Sequence, residues 1–394
     1  MSENSQLKFA PMTAAVASTT AAVLPVFLTG PLFLQINHSF VFTSTQLGET
    51  IASFFISAAI CSIFLARFVE KIGPVKIMKI GISISASTML LVSFWANSFY
   101  ELTICLMLGG IANGIIQPAA NSFLSQSVPS SRQGLAFGIK QSAIPSATLF
   151  AGLALPLIAL TIGWRWVYLL GVFIALASLW LVSRIGSIST KTYSLSKGKI
   201  HLRPLLILTI AMTLGSSAAN ALGTFAVPYG VFEHFNAGQS GLIAALGSVG
   251  ALFSRLFIGN LADKLKQGHL NIVMLMLGIG AVAFGGLASG ISSSFIPAIV
   301  IGFMFGWGWP GLFNFVIATT HPKATGHATG ITQSGAFLGA IIGPVVFGLL
   351  VEHSSYQWAW IFCLVAAAGG SVFMLIGKIQ LLKALKQNPF EIDP

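Results

Sequence analysis

Long apolar runs, separated by short polar or charged breaks, make up almost the whole chain. Each run is about 20 residues or longer, which is the length that an α-helix needs to cross the hydrocarbon core of a bilayer. Twelve such runs are present, at 11–33, 47–69, 77–96, 99–123, 135–160, 164–184, 205–228, 238–260, 271–292, 295–318, 327–351 and 356–378. The pattern therefore predicts an all-α membrane protein with twelve transmembrane helices.

One long polar stretch, 185–204, divides these runs into six and six. We therefore predict an N-terminal six-helix bundle at 1–184, a linker at 185–204, and a C-terminal six-helix bundle with a tail at 205–394. With the N-terminus placed inside, the inner segments and the adjoining ends of the runs contain most of the Lys and Arg residues, whereas the outer side has only Arg165. Because basic loops are retained in the cytoplasm, we expect both termini and the linker there, in a cell inner membrane.

Composition supports this prediction and excludes several other classes. Hydrophobic residues make up 55% of the chain and charged residues only 7%, against about 25% charged residues in soluble domains. The net charge of +11 is scattered between apolar runs, which favours membrane loops over a nucleic-acid surface. The three cysteines lie inside apolar runs without disulfide or metal spacing, so we expect no cofactor, metal ion or nucleic-acid partner.

An internal repeat relates the two halves of the chain. The sequence GIKQS at 138–142 returns as GITQS at 330–334, and Pro118 matches Pro310 at the same offset. An even number of spans in each half keeps both copies in the same orientation. Parallel repeats of this kind are typical of carriers that expose a central site alternately to the two sides of a membrane.

Two short motifs add a family resemblance. The sequence GNLADK at 259–264 resembles the signature that follows the eighth span of the major facilitator superfamily, and ARFVEKIG at 66–73 resembles a degenerate copy after the second span. Together with the repeat and the layout of six and six spans, the resemblance covers nearly the whole chain. It implies a secondary transporter with a central cavity between two pseudo-symmetric six-helix bundles.

The charged residues of these two motifs are candidates for a conformational latch. Asp263 and Lys264 lie at the inner end of the eighth run, and Glu70 and Lys71 at the inner end of the second. The resemblance implies that the acid pairs with a base or a helix N-terminus of a neighbouring span and holds one conformation closed. The alternative is a solvated loop with lysines that reach the headgroups.

Two basic residues lie inside runs. Arg255 precedes Asp263 by eight residues, or about 12 Å of helix, and Lys140 follows Gly134 by six, or about 9 Å. Their side chains either snorkel to the headgroups or bind an anion. Ser254 and Arg255 resemble the eighth helix of oxalate and monocarboxylate carriers, which implies that the arginine binds a substrate carboxylate. The oxalate carriers place the partner lysine in helix 11, where this chain has Thr332 opposite Lys140.

Several polar or aromatic side chains inside the runs are candidates to line the cavity and bind the solute. Interhelical hydrogen bonding is the alternative for each polar residue. The candidates are Gln117, Asn121, Gln141, Asn220, Asn314, Gln333 and Trp309.

The leading interpretation is a carrier for a small organic anion, such as a carboxylate, by proton symport or anion exchange. No acidic residue lies in the middle of a run, whereas proton-coupled drug exporters usually keep one there. A drug or amphipathic-cation exporter of the same superfamily is the alternative. A membrane-embedded enzyme or receptor has less support, because no catalytic set is present. We expect the protein to act as a monomer among membrane lipids.

Overall fold

The computed structural model describes residues 9–129, 132–184, 200–265, 267–321 and 324–387, which are helical almost throughout. The helices are α1 (Phe9–Thr29), α2 (Phe33–Asn37), α3 (Ser44–Ile72), α4 (Pro74–Phe94), α5 (Phe99–Ser127), α6 (Gln133–Gln141), α7 (Ala143–Ala154), α8 (Trp164–Arg184), α9 (Leu202–Phe232), α10 (Ala237–Lys264), α11 (His269–Ala288), α12 (Phe295–Ile301), α13 (Pro310–Thr320), α14 (Thr325–His353) and α15 (Tyr356–Gln387). We call α1–α8 the N-terminal helices and α9–α15 the C-terminal helices.

The described residues contain eleven helical stretches that are long and apolar enough to span a membrane. These stretches match eleven of the predicted runs, and α3 occupies the remaining run, 47–69. The prediction of an all-α, multi-pass membrane protein is therefore confirmed. Several helices extend beyond their apolar runs, as α9 does at Leu202–Phe232, because polar end residues continue the backbone hydrogen bonds without adding hydropathy.

Most of the predicted linker, residues 185–199, lies outside the described residues. Arg184 and Leu202 flank it at the ends of α8 and α9. We call this end of the bundle the linker end. Because consecutive spans run in opposite directions, the connections from α5 to α6, from α10 to α11 and from α13 to α14 lie at the same end.

The N-terminal and C-terminal helices meet along two main seams. In one seam α3 packs against α14, and in the other α6 and α7 pack against α10. Glycines permit the close approach: an added Cβ on Gly152 of α7 would lie 2.6 Å from the carbonyl oxygen of Gly241 in α10. Such close backbone contact is the usual way in which helices associate within a membrane.

Two of the predicted spans are interrupted helices. The fifth span changes from α6 to α7 at Ser142 and ends in a π-helical segment, Leu155–Ala159. The tenth span consists of α12, a π-helical segment at Gly302–Gly306, a turn at 307–309, and α13. A hydropathy profile of the sequence does not reveal these interruptions, because the residues around them are apolar.

Candidate functional site

A central cavity lies between the N-terminal and C-terminal helices. The volume of the cavity is about 70 Å³, which is room for a few waters. Amides and a hydroxyl form its polar wall, and aromatic rings form much of the rest. The polar wall consists of Asn113, Gln117, Gln141, Ser216, Asn220 and Gln333, and the rings belong to Phe27, Phe55, Trp307 and Phe337.

Arg255 of α10 joins the two interrupted spans beside this cavity. Its side chain is only 2% exposed, so it does not snorkel to the bundle surface. Nη2 donates a hydrogen bond of 2.6 Å to the carbonyl of Trp307, and Nη1 donates to the carbonyl of Gln141. The Nε atom is buried and has no hydrogen-bond partner within the part of the chain that the structure describes. The guanidinium thus connects the N-terminal and C-terminal helices.

Lys140 of α6 is also buried, with 1% of its surface exposed. Its Nζ donates to Oε1 of Gln117, an amide of the cavity wall. Gln117 in turn donates from Nε2 to Oδ1 of Asn113 at 3.1 Å. The ammonium group is therefore held by a neutral amide, and this amide chain leads directly to the cavity.

Proline explains why a backbone carbonyl of α6 is available to Arg255. In a continuous helix the Gln141 carbonyl accepts from the N–H four residues later, but that residue is Pro145, which has no N–H. The Gly306 carbonyl is freed in the same way by Pro310, and it accepts instead from the indole Nε1 of Trp309 at 3.0 Å. The sequence signal for these sites is a proline four residues after the carbonyl.

Asp263 at the linker end accepts two backbone hydrogen bonds from the opposite helices. Its Oδ1 and Oδ2 accept from the N–H groups of Gly134 and Leu135, at 2.9 and 3.0 Å. These N–H groups belong to the first turn of α6, where no helical carbonyl is available. The carboxylate of α10 therefore caps the N-terminus of α6, and its role as a latch stays a prediction.

Glu352 makes a comparable contact at the opposite end, which the sequence did not predict. Its Oε2 accepts from the N–H of Thr45 at 3.1 Å, in the first turn of α3. Both carboxylates belong to C-terminal helices, and both cap helices of the N-terminal set. The signal available in the sequence was only an acidic residue near the end of the eleventh run.

The other predicted site residues occupy different surroundings. Trp309 is fully buried in the packing of the C-terminal helices, beside Phe313, while its neighbour Trp307 lines the cavity. Asn121 and Asn314 are not among the cavity-lining residues of the described chain. The side chain of Lys264 is exposed, and the side chains of Glu70 and Lys71 lie outside those described.

Sequence reasoning missed several residues of the cavity wall. Trp307 packs edge-on against Phe27 of α1, with ring centroids 5.4 Å apart, and Asn113 and Ser216 supply polar atoms. Outside the cavity wall, the hydroxyls of Thr148 and Ser248 form a buried hydrogen bond of 2.7 Å between α7 and α10. Apolar periodicity cannot find these residues, because helices inside a large bundle are apolar on most faces.

The geometry defines a class of protein: a multi-pass membrane transporter with a polar cavity between two sets of helices. Comparison with protein families agrees. The profile of the Major Facilitator Superfamily matches residues 15–295 and again residues 205–388. The chain belongs to the Major Facilitator Superfamily, whose members are transporters and generally not enzymes.

The names of similar proteins specify different activities, or none. The chain is 26% identical to the uncharacterized MFS-type transporter YuxJ of Bacillus subtilis, over 86% of this chain and 89% of that protein. It is 23% identical to the human voltage-gated purine nucleotide uniporter SLC17A9, over 88% of this chain and 86% of that protein. It is 22% identical to the quinolone resistance protein NorA of Staphylococcus aureus, over 93% and 94% of the two chains.

Proposed function

We propose that the chain carries small organic anions, chiefly carboxylates, across the membrane by alternating access, as proton symport or as anion exchange. The observation that carries the proposal is the pair of buried cations, Arg255 and Lys140. Each is bonded to neutral oxygens, and no Asp or Glu is buried in the described residues. Burying a charge costs several kcal/mol, which an anionic partner offsets better than a carbonyl does.

The comparisons support the anion class through one relative. The name of the human relative specifies purine nucleotides, which are organic anions. The polar wall of the cavity, with amides from α5, α6, α9 and α14, offers hydrogen bonds to such a solute. Arginine adds a planar fork that matches a carboxylate, and lysine adds a mobile point charge.

We further propose that Asp263 is the latch of the linker end. Release of its bonds to α6 would let α10 separate from the N-terminal helices there. Glu352, which caps α3, would hold the opposite end in the same way. Opening one end while the other remains capped is the condition for alternating access.

A drug exporter is the second candidate. The name of NorA specifies quinolone resistance, and the aromatic rings of the cavity suit an apolar drug. A cationic drug, however, would meet two buried basic groups without a buried carboxylate among the described residues. Because a cationic drug would be repelled by these basic groups, we rank the drug exporter behind the anion carrier.

Matched ligands test the proposal in the purified protein. Benzoate, malonate and adenosine monophosphate are compared with benzamide and malonamide, which are neutral, and with tetraphenylphosphonium, a cation. We expect at least one anion to raise the unfolding temperature, as any ligand of the native state does, and to show saturable counterflow in proteoliposomes. Counterflow of the cation without counterflow of any anion would replace the proposal with the exporter.

A further inference from the structure

The interruption of the tenth span has two features to which the proposed function assigns no role. The first is a helix N-terminus inside the membrane: α13 is an eleven-residue helix that begins at Pro310, and its N-cap residue, Trp309, makes no side-chain capping bond. The Phe313 N–H donates to the carbonyl of the N-cap residue Trp309 at 3.2 Å. The N–H groups of Gly311 and Leu312 precede it and have no carbonyl of the same helix in reach.

The second feature is a pair of buried polar atoms against the same interruption. Nε of Arg255 and Oγ of Ser254 have no hydrogen-bond partner among the described residues, although their side chains are only 2% and 1% exposed. Arg255 is bonded to Trp307 in the interruption, and an added Cβ on Gly308 would lie 2.5 Å from Oγ of Ser254. A buried polar atom without a hydrogen-bond partner destabilises a membrane protein unless a ligand supplies the missing hydrogen bond.

We propose that the interrupted tenth span is the oxyanion subsite of the carrier. The N–H groups of Gly311 and Leu312, the hydroxyl of Ser254 and Nε of Arg255 donate to the oxygens of a carboxylate or phosphate. This inference rests on the proposed anion transport and adds where the charged group binds. In other transporters the N-termini of half-helices bind anionic groups of the substrate, because free N–H groups and the positive end of the helix dipole lie there.

The surroundings of the interruption suit this role. Pro310 and Trp307 both belong to the cavity wall, so the interruption is adjacent to the solute space. In this conformation the carbonyls of Trp307 and Gln141 accept hydrogen bonds from the guanidinium of Arg255. Gly306 and Gly308 flank Trp307 and permit its peptide to turn away, which would release donors of Arg255 to the arriving anion.

The internal repeat provides a matched comparison. Pro118 is the counterpart of Pro310, but α5 continues through Pro118 without interruption. Proline alone therefore does not create the subsite. The tenth span differs in having Trp307, Gly308 and Trp309 where the fourth span has Ile115, Ile116 and Gln117.

Substitution of Ser254 tests the subsite directly. Binding of benzoate and of phenyl phosphate is measured by thermal shift, with benzamide as the neutral analogue of the same ring. Ser254→Ala should weaken binding of at least one oxyanion about tenfold, because a hydrogen bond to a charged group is lost. The stability of the ligand-free protein should stay equal or rise, since the hydroxyl has no partner there. Ser178→Ala, which removes a buried hydroxyl from α8 outside the site, should leave oxyanion binding unchanged.

Substitution of the two prolines tests the half-helix. Pro310→Ala lets the tenth span form additional helical bonds and should weaken oxyanion binding, whereas Pro118→Ala should not. The preference between benzoate and phenyl phosphate identifies which oxyanion the subsite takes. If the wild-type protein binds neither of these nor any other anion of the panel, the proposed function and the subsite both fail. If Arg255→Lys loses oxyanion binding while Ser254→Ala and Pro310→Ala bind normally, only the subsite is overturned.

Discussion

Arg255 and Lys140 are both buried basic residues, yet they differ in the partners they need. Arg255 bonds two carbonyls that belong to different spans, and its Nε has no hydrogen-bond partner among the described residues. Lys140 bonds one amide of the cavity wall. At the scale of single residues, geometry should therefore matter more at position 255 and charge more at position 140.

Arg255→Lys should lose most anion transport, about tenfold or more, although the charge is kept. A lysine has a single nitrogen and cannot bond both carbonyls and an anion as a planar fork does. Counterflow of benzoate and malonate in proteoliposomes measures the loss, and a normal thermal transition without ligand shows that the variant folds. Wild-type anion counterflow by Arg255→Ala, in a correctly inserted protein, would refute a role for this side chain in binding.

Lys140→Gln should weaken anion binding and leave binding of a neutral analogue unchanged. The amide can still hydrogen-bond Gln117, so the variant removes the positive charge and little else. Thermal-shift titrations with benzoate and benzamide separate the two effects. Equal weakening for both ligands would show that Lys140 shapes the cavity and does not attract charge.

At the scale of elements, glycines decide how closely helices approach. On α14, an added Cβ at Gly343 would overlap the carbonyl of Ser217 in α9, whereas one at Gly330 would have nothing within 4 Å. Both residues lie in the same helix, so their intrinsic helix propensity is the same. Comparing them isolates the contribution of packing.

Gly343→Ala should lower the unfolding temperature, because the backbones of α9 and α14 must move apart. Gly330→Ala should be neutral or stabilising by up to about 1 kcal/mol, the helix propensity gained over glycine. Thermal unfolding of both variants in the same detergent measures the difference. Equal effects of the two substitutions would contradict the close contact at Gly343.

Asp263→Asn should slow transport more than it weakens substrate binding. The side chain caps α6 from α10 and is not part of the cavity wall, so we expect its charge to bias the conformational equilibrium and not the solute contact. Asparagine keeps one acceptor and loses the charge that favours a helix N-terminus, worth about 0.3–1 kcal/mol. The rate of exchange at saturating anion and the binding constant are measured separately, with the exposed Lys264→Gln as a control of smaller effect. Loss of binding with an unchanged saturated rate would place Asp263 in the substrate site instead.

At the scale of the whole molecule, the distribution of basic residues predicts the orientation in the membrane. Residues 185–204 should face the cytoplasm, as positive loops do. In a background without Cys61, Cys105 and Cys363, a cysteine in place of Ser194 should react with an impermeant reagent only from the cytoplasmic side. A cysteine in place of Ser354, beyond the opposite end of α14, should react from outside intact cells. The reverse labelling pattern would invert the predicted orientation.

The sequence by itself was sufficient to predict the helical membrane fold. Hydropathy is a local property, and each apolar run in a membrane must satisfy its own backbone hydrogen bonds by forming a helix. It also singled out Arg255 and Lys140, because charged residues inside apolar runs are rare, and Asp263, because it belongs to the GNLADK motif. Gln117, Gln141, Asn220 and Gln333, predicted from the same runs, do lie on the cavity wall.

Only the tertiary structure decided the partners of these residues. Adjacent positions such as Trp307 and Trp309 are equally apolar in sequence, but the interruption of the tenth span turns one towards the cavity and the other into the packing. The carbonyls that hold Arg255 and the N–H groups that meet Asp263 and Glu352 come from spans far away in the chain. The rotation of each helix and the depth of each interruption depend on neighbouring spans, and a local pattern contains no information about which neighbour will be there.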